Sequence, residues 1–152
     1  MDSVLSEDAV KKHTEAIEKE EALEIILEKC KRVLPPITSK DYLYMEFLTE
    51  ESKSLLEDLK SPMEEDKVTI CANGHVIYAD RVHEIKEMRA ISSNWKSFTL
   101  KEKILNVHLV DRYDEIRREI NEGYEESMED GSLPHFMKKI KENDILSCMK
   151  PN

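Results

Sequence analysis

The feature that most restricts this chain is Lys67-Val-Thr-Ile-Cys-Ala-Asn-Gly-His-Val-Ile-Tyr-Ala-Asp80, two short β-rich runs joined by Asn73-Gly74. Asn-Gly between apolar runs is a strong hairpin signal, because a two-residue type I′ turn needs positive φ at both central positions and these residues tolerate it. The spacing predicts a β-hairpin over residues 67–80. In that register Cys71 faces Val76, Ile70 faces Ile77 and Thr69 faces Tyr78, with successive pairs on alternate faces. One face would carry Val68, Ile70, Ile77 and Ala79 and would need cover, since an isolated hairpin is marginal in water.

The rest of the chain is helical in pattern. With 152 residues it suits one domain, residues 1–152. Charged residues make up 37% and there are only 3 glycines, a balance that favours helices with solvated outer faces. Ser6, Glu7 and Asp8 read as a cap with an acidic first turn. Ala9, Ala16, Leu23, Ile26, Leu27, Cys30, Val33 and Leu34 recur at helical spacing until Pro35-Pro36 stops them. Residues 7–34 are therefore expected to form one helix. Its first half is nearly all charged, so residues 1–21 are expected to be a projecting or frayed arm.

Residues 41–48 fit either a strand or a helix and are read as helical, and Leu55, Leu56 and Leu59 carry an apolar face towards Lys60. After the hairpin, Asp80 can cap a helix with Val82, Ile85, Met88 and Ile91 inward, and Ser92–Ser97 reads as a polar connector from which Trp95 folds back. Thr99-Leu-Lys-Glu102 matches a capping box. Leu105, Leu109, Tyr113, Ile116, Ile120 and Tyr124 then mark a long helix to about Met128, Gly131 marks its stop, and Pro134 opens a last helix with Phe136, Met137, Ile140, Ile145 and Met149. The fold class expected is α+β, predominantly helical, with about five helices around the hairpin. The order of long helix, hairpin and long helix resembles prefoldin-like subunits in topology alone, and Pro35-Pro36 interrupts the first arm.

Function has to be read mostly from what the residues exclude. Acidic residues outnumber basic ones by 33 to 23, so the chain repels phosphate overall and nucleic acid is an unlikely partner. No apolar run is long enough for a membrane span, and the N-terminus lacks the pattern of a signal peptide. Cys30, Cys71 and Cys148 are odd in number and widely spaced, which suits reduced thiols in a cytoplasmic or nuclear protein.

Cys71 and His75 are the residue types of a thiolate–imidazole pair, but the hairpin register sends their side chains to opposite faces. Asp80, His83 and Glu87, and again His108, Asp111 and Glu115, fall at i, i+3 and i+7. Carboxylate bundles instead need Glu-x-x-His on each of two helices, which neither segment has. Glycines at 74, 123 and 131 alone cannot build a phosphate loop, and no Gly-x-Ser-x-Gly elbow is present. No catalytic residue, metal or other cofactor is expected.

These readings point to a non-catalytic interaction module or a subunit of a larger assembly, with a protein partner or a second copy of the chain contacted through amphipathic helices. The residues expected to carry that contact are Leu23, Ile26, Leu27, Cys30, Val33 and Leu34 on the first helix and Phe136 and Ile140 on the last. The alternative is an enzyme of unrecognised type with a Cys/His or His/carboxylate site near the hairpin.

Overall fold

The computed structural model describes residues 7–149, with side chains through residue 143. The Ser6 cap and the side chains of Ile145, Cys148 and Met149 lie outside the described residues. Six α-helices follow one another: α1 Glu7–Lys31, α2 Ser39–Lys60, α3 Glu65–Ser97, α4 Leu100–Leu105, α5 His108–Glu129 and α6 Ser132–Met149. Among the described residues there is no strand. The expected α+β class is thus corrected to all-α, and the stretch predicted as a hairpin lies wholly inside α3.

The residues of α3 explain the correction. Val68, Cys71, His75, Tyr78, Val82, Ile85, Met88, Ser92 and Trp95 step by three or four positions, and all are buried or half-buried. Ile70, Val76 and Ile77, which the hairpin would have made into its apolar pairs, are instead 54–69% exposed. A helical glycine costs about 1 kcal/mol relative to alanine. At Gly74 the helix passes close to α2, where a Cβ would come within 3.0 Å of Leu55 Cδ1. Asn73 and Gly74 keep ordinary helical φ, and positive φ occurs only at Gly131 among the described residues. The same continuous stripe carries α3 through the polar Ser92–Ser97 segment, so that Trp95 is a core residue of the helix rather than part of a connector.

α2 and α3 form an αα-hairpin joined by residues 61–64, and Ser52 Oγ shares a hydrogen bond of 2.6 Å with His75 Nδ1 across it. α5 lies on α3, α6 on α5 and α2, and α1 meets α4. One core joins these layers through Tyr44, Phe47, Leu48, Ile85, Met88, Trp95, Val110, Tyr113, Ile116, Ile120 and Leu133, with Cys30 and Leu34 from the first helix and the corner after it. The Thr99 capping box is present, but it caps only the six residues of α4, and the chain turns at Asn106 before α5 begins. Thr38 and Asp41 form a second capping box at the start of α2.

The segment between α1 and α2 is held by polar contacts with three helices. Trp95 Nε1 donates to the Arg32 carbonyl at 3.1 Å, and the Tyr113 hydroxyl donates to the Pro35 carbonyl. Arg117 Nη1 reaches both Asp41 carboxylate oxygens at 3.0 Å while its Nη2 donates to the Tyr113 hydroxyl at 2.9 Å. Burial pulls the Arg117 guanidinium pKa down, but its bonds to Tyr113 and Asp41 carry it above the ordinary value. This network ties the corner between α1 and α2 to α3 and α5.

Arg81 pairs with Glu84 one turn along α3 and with Glu119 across on α5, and Arg112 of α5 pairs with Glu87 of α3. Burial and then the nearby Glu119 carboxylate raise the Glu84 pKa, against the attraction of Arg81. A carboxylic acid raised in this way holds its proton more tightly in the folded chain than in the unfolded one. Its contribution to folding therefore grows as pH falls through its folded pKa and is lost as pH rises. Glu84→Gln is expected to be no less stable than the parent at pH 7, with any advantage shrinking on acidification. Thermal unfolding at neutral and acidic pH checks this, and a clear loss at pH 7 would show that the Arg81 pair dominates.

Candidate functional site

The feature of this fold that a single core does not account for is α1. Its base is firmly placed: Cys30 is buried, Ile26 packs on the core, Lys29 Nζ lies 3.0 Å from Asp111 Oδ2 on α5, and Arg32 just beyond the helix makes a two-pronged ion pair with Asp114. The bond to Asp114 is the main reason the Arg32 guanidinium pKa is raised. Such half-exposed ion pairs contribute modestly each, so the buried apolar contacts do most of the anchoring.

Above the base the helix is bare. Every side chain from Val10 to Ile25 is exposed, including Val10, Ile17, Leu23 and Ile25 at 43–55%. At roughly 100° per residue, Val10, Ile17 and Ile25 fall on the side of the helix away from Cys30. Glu21, Glu24 and Glu28 share that side, giving an outer face that alternates apolar and acidic groups.

The residues expected to contact a partner are divided by the structure. Cys30 and Leu34 belong to the chain's own core, Ile26 packs on it, and Leu27 is half-buried. Leu23 and Val33 face solvent, Val33 at 79%. Phe136 packs edge-on against Phe47, with ring centroids 5.6 Å apart. Ile140 is half-buried and lines, with Met45, Thr49 and Phe136, a groove of about 630 Å³ between α2 and α6.

The groups with possible chemistry also find definite places. Because α3 is a helix, Cys71 and His75 stand one turn apart on the same face, and the argument that their side chains diverge no longer holds. The hydrogen bond actually seen is between His75 and the buried Ser52. Both lie mid-helix, where backbone N–H groups are used by the helix itself, so no pair of free amides faces the site to stabilise an oxyanion. No hydrogen bond joins His75 to a carboxylate among the described residues. Of the two His/carboxylate sets, Glu87 and Glu115 both pair with Arg112 while Asp111 pairs with Lys29. Among the described residues no three His, Cys, Asp or Glu side chains are grouped so as to hold a metal ion.

Sequence reasoning missed a notch between the start of α2 and the middle of α3. It measures about 360 Å³ and is lined by Ile37, Tyr42, Met45 and Ile85, with the cations Lys86 and Arg89 at its edge. The signal was weak, because Lys86 and Arg89 look like any solvated pair until α2 is laid beside them. Comparison with family models, with curated proteins and with solved structures finds no match to this chain.

Proposed function

We propose that the protein is a non-catalytic interaction module, a subunit of a larger assembly, that engages another protein chain through α1. The observation that supports this most is the exposure of every side chain from Val10 to Ile25 on a helix whose base is locked to the body. Helical stretches without packing are marginal in water, and most helical stability in proteins comes from burial of one face. A long arm with large apolar groups in solvent is the form a helix takes when its cover comes from a partner. The acidic surplus of the chain favours protein over nucleic acid as that partner. No helix among the described residues is long and apolar enough to cross a membrane. The thiol pattern of the sequence suits a cytoplasmic or nuclear setting.

Deleting residues 1–21 tests the reading. The truncated chain is expected to keep the fold and, within about 3 °C, the melting temperature of the parent body, because in the described part of that segment every side chain but the half-buried Ala9 is exposed. Hydrogen exchange of the free full-length chain is expected to be fast along residues 7–21 and slow in α3 and α5. A truncated chain that no longer folds, together with strong protection of residues 7–21 in the monomer, would make α1 a core element and remove the arm from consideration.

A further inference from the structure

We propose that the outer face of α1 docks in the notch between α2 and α3 of a second copy of this chain, so that two copies exchange arms. The inference rests on the reading of α1 as a docking arm and adds the identity of its partner. Two surfaces of opposite charge carry it.

The first is the notch. Its apolar wall of Ile37, Tyr42, Met45 and Ile85 is edged by Lys86 and Arg89, one helical turn apart on α3. Arg32, Arg81, Arg112 and Arg117 each have a carboxylate partner. Neither Lys86 nor Arg89 has an ion-pair partner among the described residues, in a chain where acids exceed bases by 33 to 23. Two adjacent cations beside an apolar notch select an occupant that carries acids at the same spacing next to apolar side chains.

The second surface has that pattern. Glu21 and Glu24 are also one turn apart and have no ion-pair partner among the described residues, and Ile17 and Ile25 flank them on the same side of α1. Glu21 and Glu24 can face Lys86 and Arg89 while Ile25 enters the apolar part of the notch. α1 is one unbroken helix from Glu7 to Lys31, and its base turns Cys30 inward, so this face points away from its own body. Its own notch is therefore out of reach, and the matching notch is one that a second copy offers. If each copy gives an arm and receives one, the contact is self-complementary and closes as a two-fold dimer.

The test is light scattering on the full chain and on two exposed double reversals, each first checked for unchanged helical content by circular dichroism. The parent is expected to move from the 17.8 kDa monomer towards twice that mass as concentration rises, and to dissociate in high salt. Lys86→Glu with Arg89→Glu puts acid against acid, and Glu21→Lys with Glu24→Lys puts base against base. Each is expected to weaken the dimer by roughly a hundredfold, because like charges face each other across both contacts. Mixing the two reversed proteins is expected to restore the dimer, since every arm then meets a notch of opposite charge. A parent that stays monomeric, or a dimer indifferent to both reversals, would overturn the arm exchange. The truncation experiment separates that outcome from failure of the arm itself: a monomeric parent whose body folds without residues 1–21 leaves α1 as an arm for a different protein.

Discussion

Asp41→Ala is expected to lower the stability of the folded chain by about 3 kcal/mol, measured as a shift in the urea midpoint at constant slope. Asp41 is only 4% exposed and does two jobs at once. As the third residue of α2 it accepts from the Thr38 amide at 3.0 Å and from the Thr38 hydroxyl at 3.1 Å, closing a capping box. Loss of such a cap alone costs about 1 kcal/mol. As the partner of Arg117 it neutralises a guanidinium whose side chain is only 23% exposed. Removing one member of a buried pair costs about 3–5 kcal/mol because the other is left without compensation, and the partial exposure of Arg117 places this case at the lower end. Asp41→Asn, which keeps the shape and much of the cap but not the charge, is expected to fall between parent and alanine variant. The network also holds the Pro35 carbonyl through Tyr113, so the alanine variant is expected to loosen the corner and release α1, seen as faster hydrogen exchange over residues 26–38. A loss below about 1 kcal/mol would mean that the corner is held by its apolar contacts alone.

Gly123→Ala is expected to destabilise by about 2 kcal/mol, although the same change in an exposed helix would stabilise by up to about 1 kcal/mol. The reason is contact. A Cβ on Gly123 would stand 2.3 Å from the Tyr44 hydroxyl and 3.4 Å from its Cζ. Tyr44 is 3% exposed and is packed against the rings of Phe47 and Tyr124, with centroids 6.1 Å and 5.8 Å away, so it has little room to retreat. The double variant Tyr44→Phe with Gly123→Ala removes the colliding oxygen and leaves the 3.4 Å contact. Its stability is expected to return to that of Tyr44→Phe alone or slightly above it, a coupling that thermal unfolding of the four proteins measures directly. An additive result would mean that α2 and α5 separate to accept the methyl group.

The error over residues 67–80 shows how local and tertiary signals compete. Asn73-Gly74 is a turn signal because of what two residues tolerate locally, whereas the helix is favoured by the nine-member stripe from Val68 to Trp95, spread over nearly the whole of α3. That stripe was legible in principle, but Cys71, His75 and Ser92 interrupt it with side chains that hydrophobic patterning discounts. The two polar groups are tolerated because of something on the facing helix or in their own turn: Ser52 bonds His75, and Ser92 donates to the Arg89 carbonyl. The notch was unreadable for a related reason, since its wall comes from residues 37–45 and 85–89, which only packing brings together.

The sequence alone determined the local events of this protein: the break at Pro35-Pro36, the capping box at Thr99, the left-handed stop at Gly131, the buried stripe of α5 and the bare, charged first half of α1. Each follows from interactions within a few positions along the chain, where dihedral limits and side-chain-to-backbone bonds act whatever lies further away. Only the tertiary structure decided that residues 65–97 form one helix, that Cys30 and Leu34 fill this chain's own core while Val10, Ile17 and Ile25 face outward, and that Gly74 and Gly123 exist for close approach. Those outcomes depend on which surface arrives opposite, and burial of a shared face outweighs a local preference of about 1 kcal/mol at any single residue.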